Sequence, residues 1–201
     1  MNIDADLARA FPDTPGHLAM LRERLAAAAD RDGLLDVAYR TLDSPVGPLL
    51  LAATEQGLVR VAFAGEGHDA VLQALADKIS PRVLHAPARL DAATRELAEY
   101  FAGQRRRFDL PLDWRLSAGF RRTVLSHLPE IGYGHTASYA AAAALAGRPK
   151  AIRAAATACA TNPLPVVVPC HRVVLADGRI GNYRGGPEAK RTLLTLEEEA
   201  A

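Results

Sequence analysis

The residues best able to do covalent chemistry in this 201-residue sequence stand side by side, in Pro169-Cys170-His171-Arg172. A cysteine that closes an apolar run, here Leu164 to Val168, is ordinarily a small buried hydrophobe. Three features change that expectation. Pro169 and His171 mark a bend, not a continuing strand. His171 offers a base beside the thiol, and the thiolate is the nucleophilic form. Arg172 and nearby cations favour that anion electrostatically. Downstream, Gly181-Asn182-Tyr183-Arg184-Gly185-Gly186 is a glycine-rich stretch able to shape a pocket. The pattern predicts a nucleophilic cysteine assisted by histidine.

Other chemistries find little support. The second cysteine, Cys159, makes no CxxC with Cys170, and the six histidines form no HxxxH pair, so no metal site is read. No cofactor is implied. No segment reaches the ~18 apolar residues that span a bilayer, and residues 1–9 lack a signal-peptide pattern. A soluble cytoplasmic protein with reduced thiols is expected, with no membrane partner. The formal net charge is +1, but unevenly spread. Residues 1–114 hold 13 basic and 17 acidic side chains, and residues 115–201 hold 11 and 6. Either the C-terminal half meets a polyanion or its solvated faces are basic by chance.

The elements that must position these residues fall into three parts: a leader (1–33), an N-terminal α/β part (34–113) and a C-terminal part (114–201). Gly16 to Ala29 reads as a helix stopped near Gly33. Residues 36–64 read as an antiparallel sheet of about three strands. Asp69–Ile79 and Asp91–Phe101 read as amphipathic helices, and Phe108 to Asp113 as an edge strand. The Arg105-Arg106-Arg107 run reads as a solvated loop. Helices follow at Ala118–Leu128, at Ser138–Ala146 with Ser138 as N-cap, and from Pro149 to Thr161. The last two, joined by Gly147-Arg148-Pro149, form a helix-turn-helix. Leu164 to Val168 reads as a strand. Val173–Leu175 and Arg179-Ile180 read as a strand pair turned by Asp177-Gly178. A final helix runs from Pro187, suited to a first turn, to Glu198.

Asn162-Pro163-Leu164-Pro165-Val166-Val167-Val168-Pro169-Cys170-His171-Arg172-Val173-Val174 resembles the active-site signature of the O6-alkylguanine-DNA alkyltransferases, the methylated-DNA–protein-cysteine methyltransferases. The segments Tyr133 to Tyr139, Lys150 to Ala154, Gly181 to Gly186 and Lys190 to Glu197 are similar to the family's flanking segments in the same order. The resemblance covers about residues 117–198. It implies an α/β (α+β) fold, with a small ribonuclease-H-like sheet-and-helix domain before a helical, winged-helix-like domain carrying the helix-turn-helix. It implies a monomer acting on double-stranded DNA that carries alkylated guanine, with no cofactor and no metal. Whether O4-alkylthymine is also a substrate stays open.

The resemblance also implies roles. Cys170 takes the alkyl group, and His171 draws its proton through a water. Glu197 orients His171, a nucleophile–base–acid series, although Glu197 by itself reads as a solvated charge in Glu197-Glu198-Glu199. The nucleotide must be flipped out of the duplex for O6 to meet a thiol. Arg153 then fills the vacancy, Tyr139 helps the rotation and contacts the base, and Ser138 lies beside it on the DNA side. Asn162 holds the turn after the recognition helix. Tyr183 and Arg184 lie on the loop lining the guanine pocket, and the Val173 carbonyl accepts from the guanine amino group. Cys159 faces the pocket. Two departures from the family pattern are Ala156 and Thr157, which add bulk where glycines are usual. At this stage a DNA-binding relative without repair activity, an alkylation-sensing regulator and an unrelated cysteine hydrolase remain alternatives.

Overall fold

The computed structural model describes residues 15–200. A first helix, α1 (Pro15–Arg31), leads into a four-stranded sheet of β1 (Val37–Leu42), β2 (Leu49–Thr54), β3 (Gly57–Phe63) and β4 (Val83–His85), ordered β3-β2-β1-β4. The β1–β2 and β2–β3 pairings are antiparallel hairpins. The sequence reading of three strands missed β4, which runs parallel to β1. It is only three residues long and has no alternating pattern to announce it. Helices α2 (His68–Lys78) and α3 (Asp91–Phe101) complete this half.

Every residue of β2, Leu-Leu-Leu-Ala-Ala-Thr, is buried, because both faces of the sheet are covered. Leu50 and Ala52 pack with Val71 and Leu75 of α2. Leu49, Leu51 and Ala53 join a core that runs through Leu97 and Tyr100 of α3 into the C-terminal half. Each such leucine contributes roughly 1.5–3 kcal/mol by leaving water. The leader helix packs here too, through Ala26 and Ala29, and Asp30 pairs with Arg89. Residues 1–14 of the expected leader lie outside the described residues. The anticipated edge strand at Phe108 to Asp113 reduces to one bridge, Leu58 to Leu112. The Pro111 carbonyl accepts from Leu58 N at 2.8 Å, but Pro111 itself has no N–H with which to extend a ladder.

The C-terminal half holds α4 (Gly119–His127), α5 (Tyr139–Leu145), α6 (Ile152–Ala160) and α7 (Gly186–Glu199). Buried Ala142, Ala143, Ala155 and Ala158 let these helices approach closely. Helix α5 starts at the Ser138 N-cap, whose Oγ accepts from Ala141 N at 3.1 Å. It ends at Gly147, which takes the left-handed φ of 74° that a helix-terminating glycine supplies. Helix α6 begins at Ile152, not at Pro149, because residues 147–151 are used in the turn, where Ala151 N donates to the Arg148 carbonyl.

Two expected strands are otherwise. Leu164 to Val168 is a buried chain of turns, since prolines at 163, 165 and 169 withhold the N–H groups a ladder needs. Val173–Val174 forms a two-residue strand, β6, but its partner is β5 (Ala137–Ser138), in parallel. The Asp177-Gly178 turn is present, closed by backbone bonds from Leu175 N to the Arg179 carbonyl and from Gly178 N to the Leu175 carbonyl. Among the described residues no helix is long and apolar enough to cross a membrane.

Candidate active site

Asn162 organises the approach to Cys170. It follows α6 and is buried, so its amide must find partners inside the protein. Its Nδ2 donates to the Val168 carbonyl at 2.9 Å and to Cys170 Sγ at 3.1 Å. Its Oδ1 accepts from Leu164 N at 2.9 Å. One side chain thus closes the turns from 163 to 169 and ends on the sulfur. Within them Val166 adopts φ 73°, a left-handed value costly for a β-branched residue. Cys170 then opens a single 3₁₀ turn, Cys170–Arg172.

That turn aims His171 away from bulk solvent. Its Nε2 lies 2.8 Å from Glu197 Oε1 on the last turn of α7. Arg172 reaches the same carboxylate, Nε to Oε2 at 2.8 Å and Nη2 to Oε1 at 3.0 Å, and donates to the Ile131 carbonyl at 2.6 Å. Gly134 N donates to Oε2 at 3.2 Å and the Tyr100 hydroxyl to Oε1 at 2.7 Å. Burial alone would raise the Glu197 carboxyl, but hydrogen bonds from His171 and Arg172 outweigh it and bring the pKa to about 2. Glu197 is therefore an anion that only accepts, so His171 Nε2 carries the hydrogen. Nδ1 of His171 is buried and has no partner among the described residues. Burial lowers the imidazole pKa against the pull of Glu197, which keeps the ring neutral and able to take a proton.

Cys170 is 3% exposed, and burial pushes its thiol up to about 11, eased by the Asn162 hydrogen bond and by Lys190. The resting group is a thiol, so proton removal must accompany attack. Arg172, expected to favour the thiolate, spends its charge on Glu197 instead. Lys190 takes that part: it is fully buried, and Nζ donates to the Val173 carbonyl at 2.5 Å. Cys159 sits buried on α6, its thiol pushed up to about 12 by burial and by the Cys170 charge.

The helix-turn-helix presents a different surface. Arg153 and Thr157 are exposed on α6, and Thr157 Oγ1 donates back to the Arg153 carbonyl at 3.1 Å. Between them and Tyr139 lies a cleft of about 420 Å³, lined also by Ile152, Ala156, Leu175 and Asn182. Tyr139 is half-buried and rests on the Gly181 backbone. A Cβ there would stand 2.9 Å from the Tyr139 hydroxyl. Ser138, expected on the DNA side, spends its hydroxyl on the α5 cap.

The family described as 6-O-methylguanine DNA methyltransferase matches in two pieces, its ribonuclease-like domain at residues 37–114 and its DNA-binding domain at 119–199. The chain belongs to this family. A methylated-DNA–protein-cysteine methyltransferase of Mycolicibacterium paratuberculosis is 38% identical over 161 residues, spanning 80% of this chain and 92% of that one. The crystal structure of the Mycobacterium tuberculosis O6-methylguanine methyltransferase superposes with a TM-score of 0.71 at 37% identity, covering 82% and 94% of the two chains. The same organism's OGT in complex with DNA gives 0.69 at 36%, with the same coverage.

In this methyltransferase the ribonuclease-like half forms part of the site. Tyr100 comes from α3. Phe63, at the end of β3, meets the Tyr183 ring edge-on, centroids 5.5 Å apart. Gly185 lies under Phe63, where a Cβ would fall 2.7 Å from the ring. Glu66 pairs with Arg60 and, at 3.2 Å, with Arg184 of the glycine-rich loop. Arg60 also donates to the Pro163 carbonyl at 3.2 Å, and Val61 N to the same oxygen at 2.9 Å. Sequence reasoning missed Tyr100, Phe63, Arg60, Glu66 and Lys190. Their partners lie too far along the chain for any local pattern to mark them.

Proposed function

We propose that this chain repairs duplex DNA by transferring the alkyl group of O6-alkylguanine to Cys170, once per protein molecule. The observation that carries the reading is the buried series Asn162–Cys170 and His171–Glu197, with neutral His171 beside a thiol too basic to ionise unaided. Sγ attacks the alkyl carbon, the carbon–O6 bond breaks, and its electron pair stays on O6. The thiol proton passes through water to His171 Nδ1, and the guanine takes up a proton as it returns to its keto form. Glu197 steadies the imidazolium formed in passing. A thioether is a poor leaving group, so Cys170 is not regenerated and the protein is consumed.

DNA docks on α6. Arg153 enters the stack from the minor groove while Tyr139 crowds the adjacent phosphate, and together they turn the nucleotide out. The flipped base passes the cleft beside Tyr139 to a pocket bordered by Tyr183, the Arg184 loop and Cys159. The Val173 carbonyl, already accepting from Lys190, has a second lone pair for the guanine amino group. Two free thiols fit reducing surroundings, and we place the reaction in the cytoplasm.

The test is direct. Incubation with a duplex bearing O6-methylguanine, followed by intact mass and peptide mapping, is expected to show one added methyl on Cys170 and none in Cys170→Ala. No mass gain, methyl on Cys159 alone, or many turnovers per molecule overturns the reading.

A further inference from the structure

The best-supplied group in the site is the Glu197 carboxylate, and one of its donors comes from the other half of the molecule. Tyr100 lies on α3, 97 residues before Glu197, and its side chain is fully buried. Its hydroxyl donates to Glu197 Oε1 at 2.7 Å and stands 3.5 Å from His171 Nε2. Tyr100, His171 Nε2 and Arg172 Nη2 therefore converge on one oxygen. The ring is wedged among Phe101, Phe108 and Tyr133, with centroids 5.4, 5.3 and 6.1 Å away. It has little freedom to place its hydroxyl elsewhere. Burial and the Glu197 charge raise the phenol pKa, so it is a permanent neutral donor.

We propose that Tyr100 is a positioning residue for alkyl transfer: its hydroxyl occupies part of Glu197 Oε1, fixes the carboxylate against His171 Nε2–H, and limits the negative charge felt by the ring. The inference rests on the proposed relay from Cys170 to His171. The neighbours that set the His171 charge come from every side. Glu197 and Lys190 lie on α7, Cys170 and Arg172 on its own turn, and Tyr183 on the glycine-rich loop with rings 6.4 Å apart. Tyr133 lies beyond Tyr100, with Arg172 and Arg106 over its ring. Gly134 N donates to Oε2 at 3.2 Å, and Tyr100 is the uncharged side chain from the other half that donates to Oε1, the oxygen facing His171.

The consequence has a sign. Without the phenol hydrogen bond, Oε1 offers more charge to the imidazolium, so the His171 pKa rises. A base must be unprotonated to act, so the acid limb of the rate profile moves to higher pH. The experiment is single-turnover methyl transfer from O6-methylguanine duplex to the full chain, wild type and Tyr100→Phe, from about pH 5 to 9. The expected result is an acid limb displaced upward by about half a unit to one unit, with rates above it within about threefold. Profiles that superimpose after scaling overturn the proposal, however slow the variant, because a packing defect slows transfer without moving the limb. Should Tyr100→Phe fold poorly, imidazole ¹⁵N shifts of Tyr100→Leu and of wild type carry the test. Wild type is expected as the Nε2–H tautomer, and the variant with a higher His171 titration midpoint. An unchanged midpoint overturns the proposal. Wild type failing to methylate Cys170 at all would instead sink the relay reading.

Discussion

At the scale of single residues, the site is held by amide and carboxylate groups with no spare capacity. Asn162→Ala leaves Leu164 N unpaired in the interior and takes one of two donors from the Val168 carbonyl, which keeps Cys170 N at 2.8 Å. An orphaned group costs about 1–3 kcal/mol. Urea unfolding is expected to show a loss of about 1–3 kcal/mol, and no measurable loss would contradict the organising role given to Asn162. The titrating groups set how stability varies with pH. Glu197 is depressed to about 2 from the ordinary 4.5, so its contribution is present above pH 4.5 and disappears as pH falls toward 2. His171, also depressed, adds an earlier loss that begins as pH falls through 6.5. Cys170 and Cys159, raised from 9 to about 11 and about 12, contribute below pH 9 and fail above it. Denaturation midpoints should therefore form a plateau between about pH 7 and 9 with both shoulders falling. Cys159→Ala should flatten the alkaline shoulder, and an unaltered shoulder would count against its burial.

At the scale of elements, the proposed function makes α6 and the glycine-rich loop the parts that bring DNA to the thiol. Arg153→Ala is expected to slow repair of duplex DNA by tenfold or more while leaving reaction with a free O6-alkylguanine base within about threefold. Equal slowing of both would remove Arg153 from the flipping step. Gly181→Ala should slow both substrates, because the added methyl displaces Tyr139 at the cleft. The helix-turn-helix was legible because alanine-rich helices flank a Gly-Arg-Pro turn, and Cys170 because Pro169 and His171 frame it. The chain of turns before it was not legible. Val166-Val167-Val168 has strand composition, and only the withheld N–H groups of three prolines and the grip of Asn162 forbid a strand. In the sequence Lys190 reads only as part of the final helix, with no role of its own. Helical spacing turns it onto the Val173 carbonyl and leaves Arg191 outside with Glu188. Arg172 seemed a partner of the sulfur because it is two residues away, whereas the 3₁₀ turn delivers it to Glu197.

At the scale of the whole molecule, the two halves share one core and one site. One tight approach between them is the Gly185 backbone beneath Phe63, where a Cβ would fall 2.7 Å from the ring. Gly185→Ala cannot be accommodated without moving that ring, and is expected to cost about 1–3 kcal/mol as overpacking and to slow transfer to every substrate. Unaltered kinetics would show that the ribonuclease-like half is a bystander. The same close fit bears on the product. Cys170 is nearly sealed from solvent and its sulfur is already in contact with the Asn162 amide. On the proposed transfer, the added carbon crowds the Asn162 amide beside Sγ. Overpacking of this kind lowers the melting temperature of a chain this size by about 2–10 °C. A melting curve taken on a partly reacted sample should then resolve into two transitions, and the area under the lower one would count the lesions removed, making the protein a calorimetric dosimeter of its own substrate.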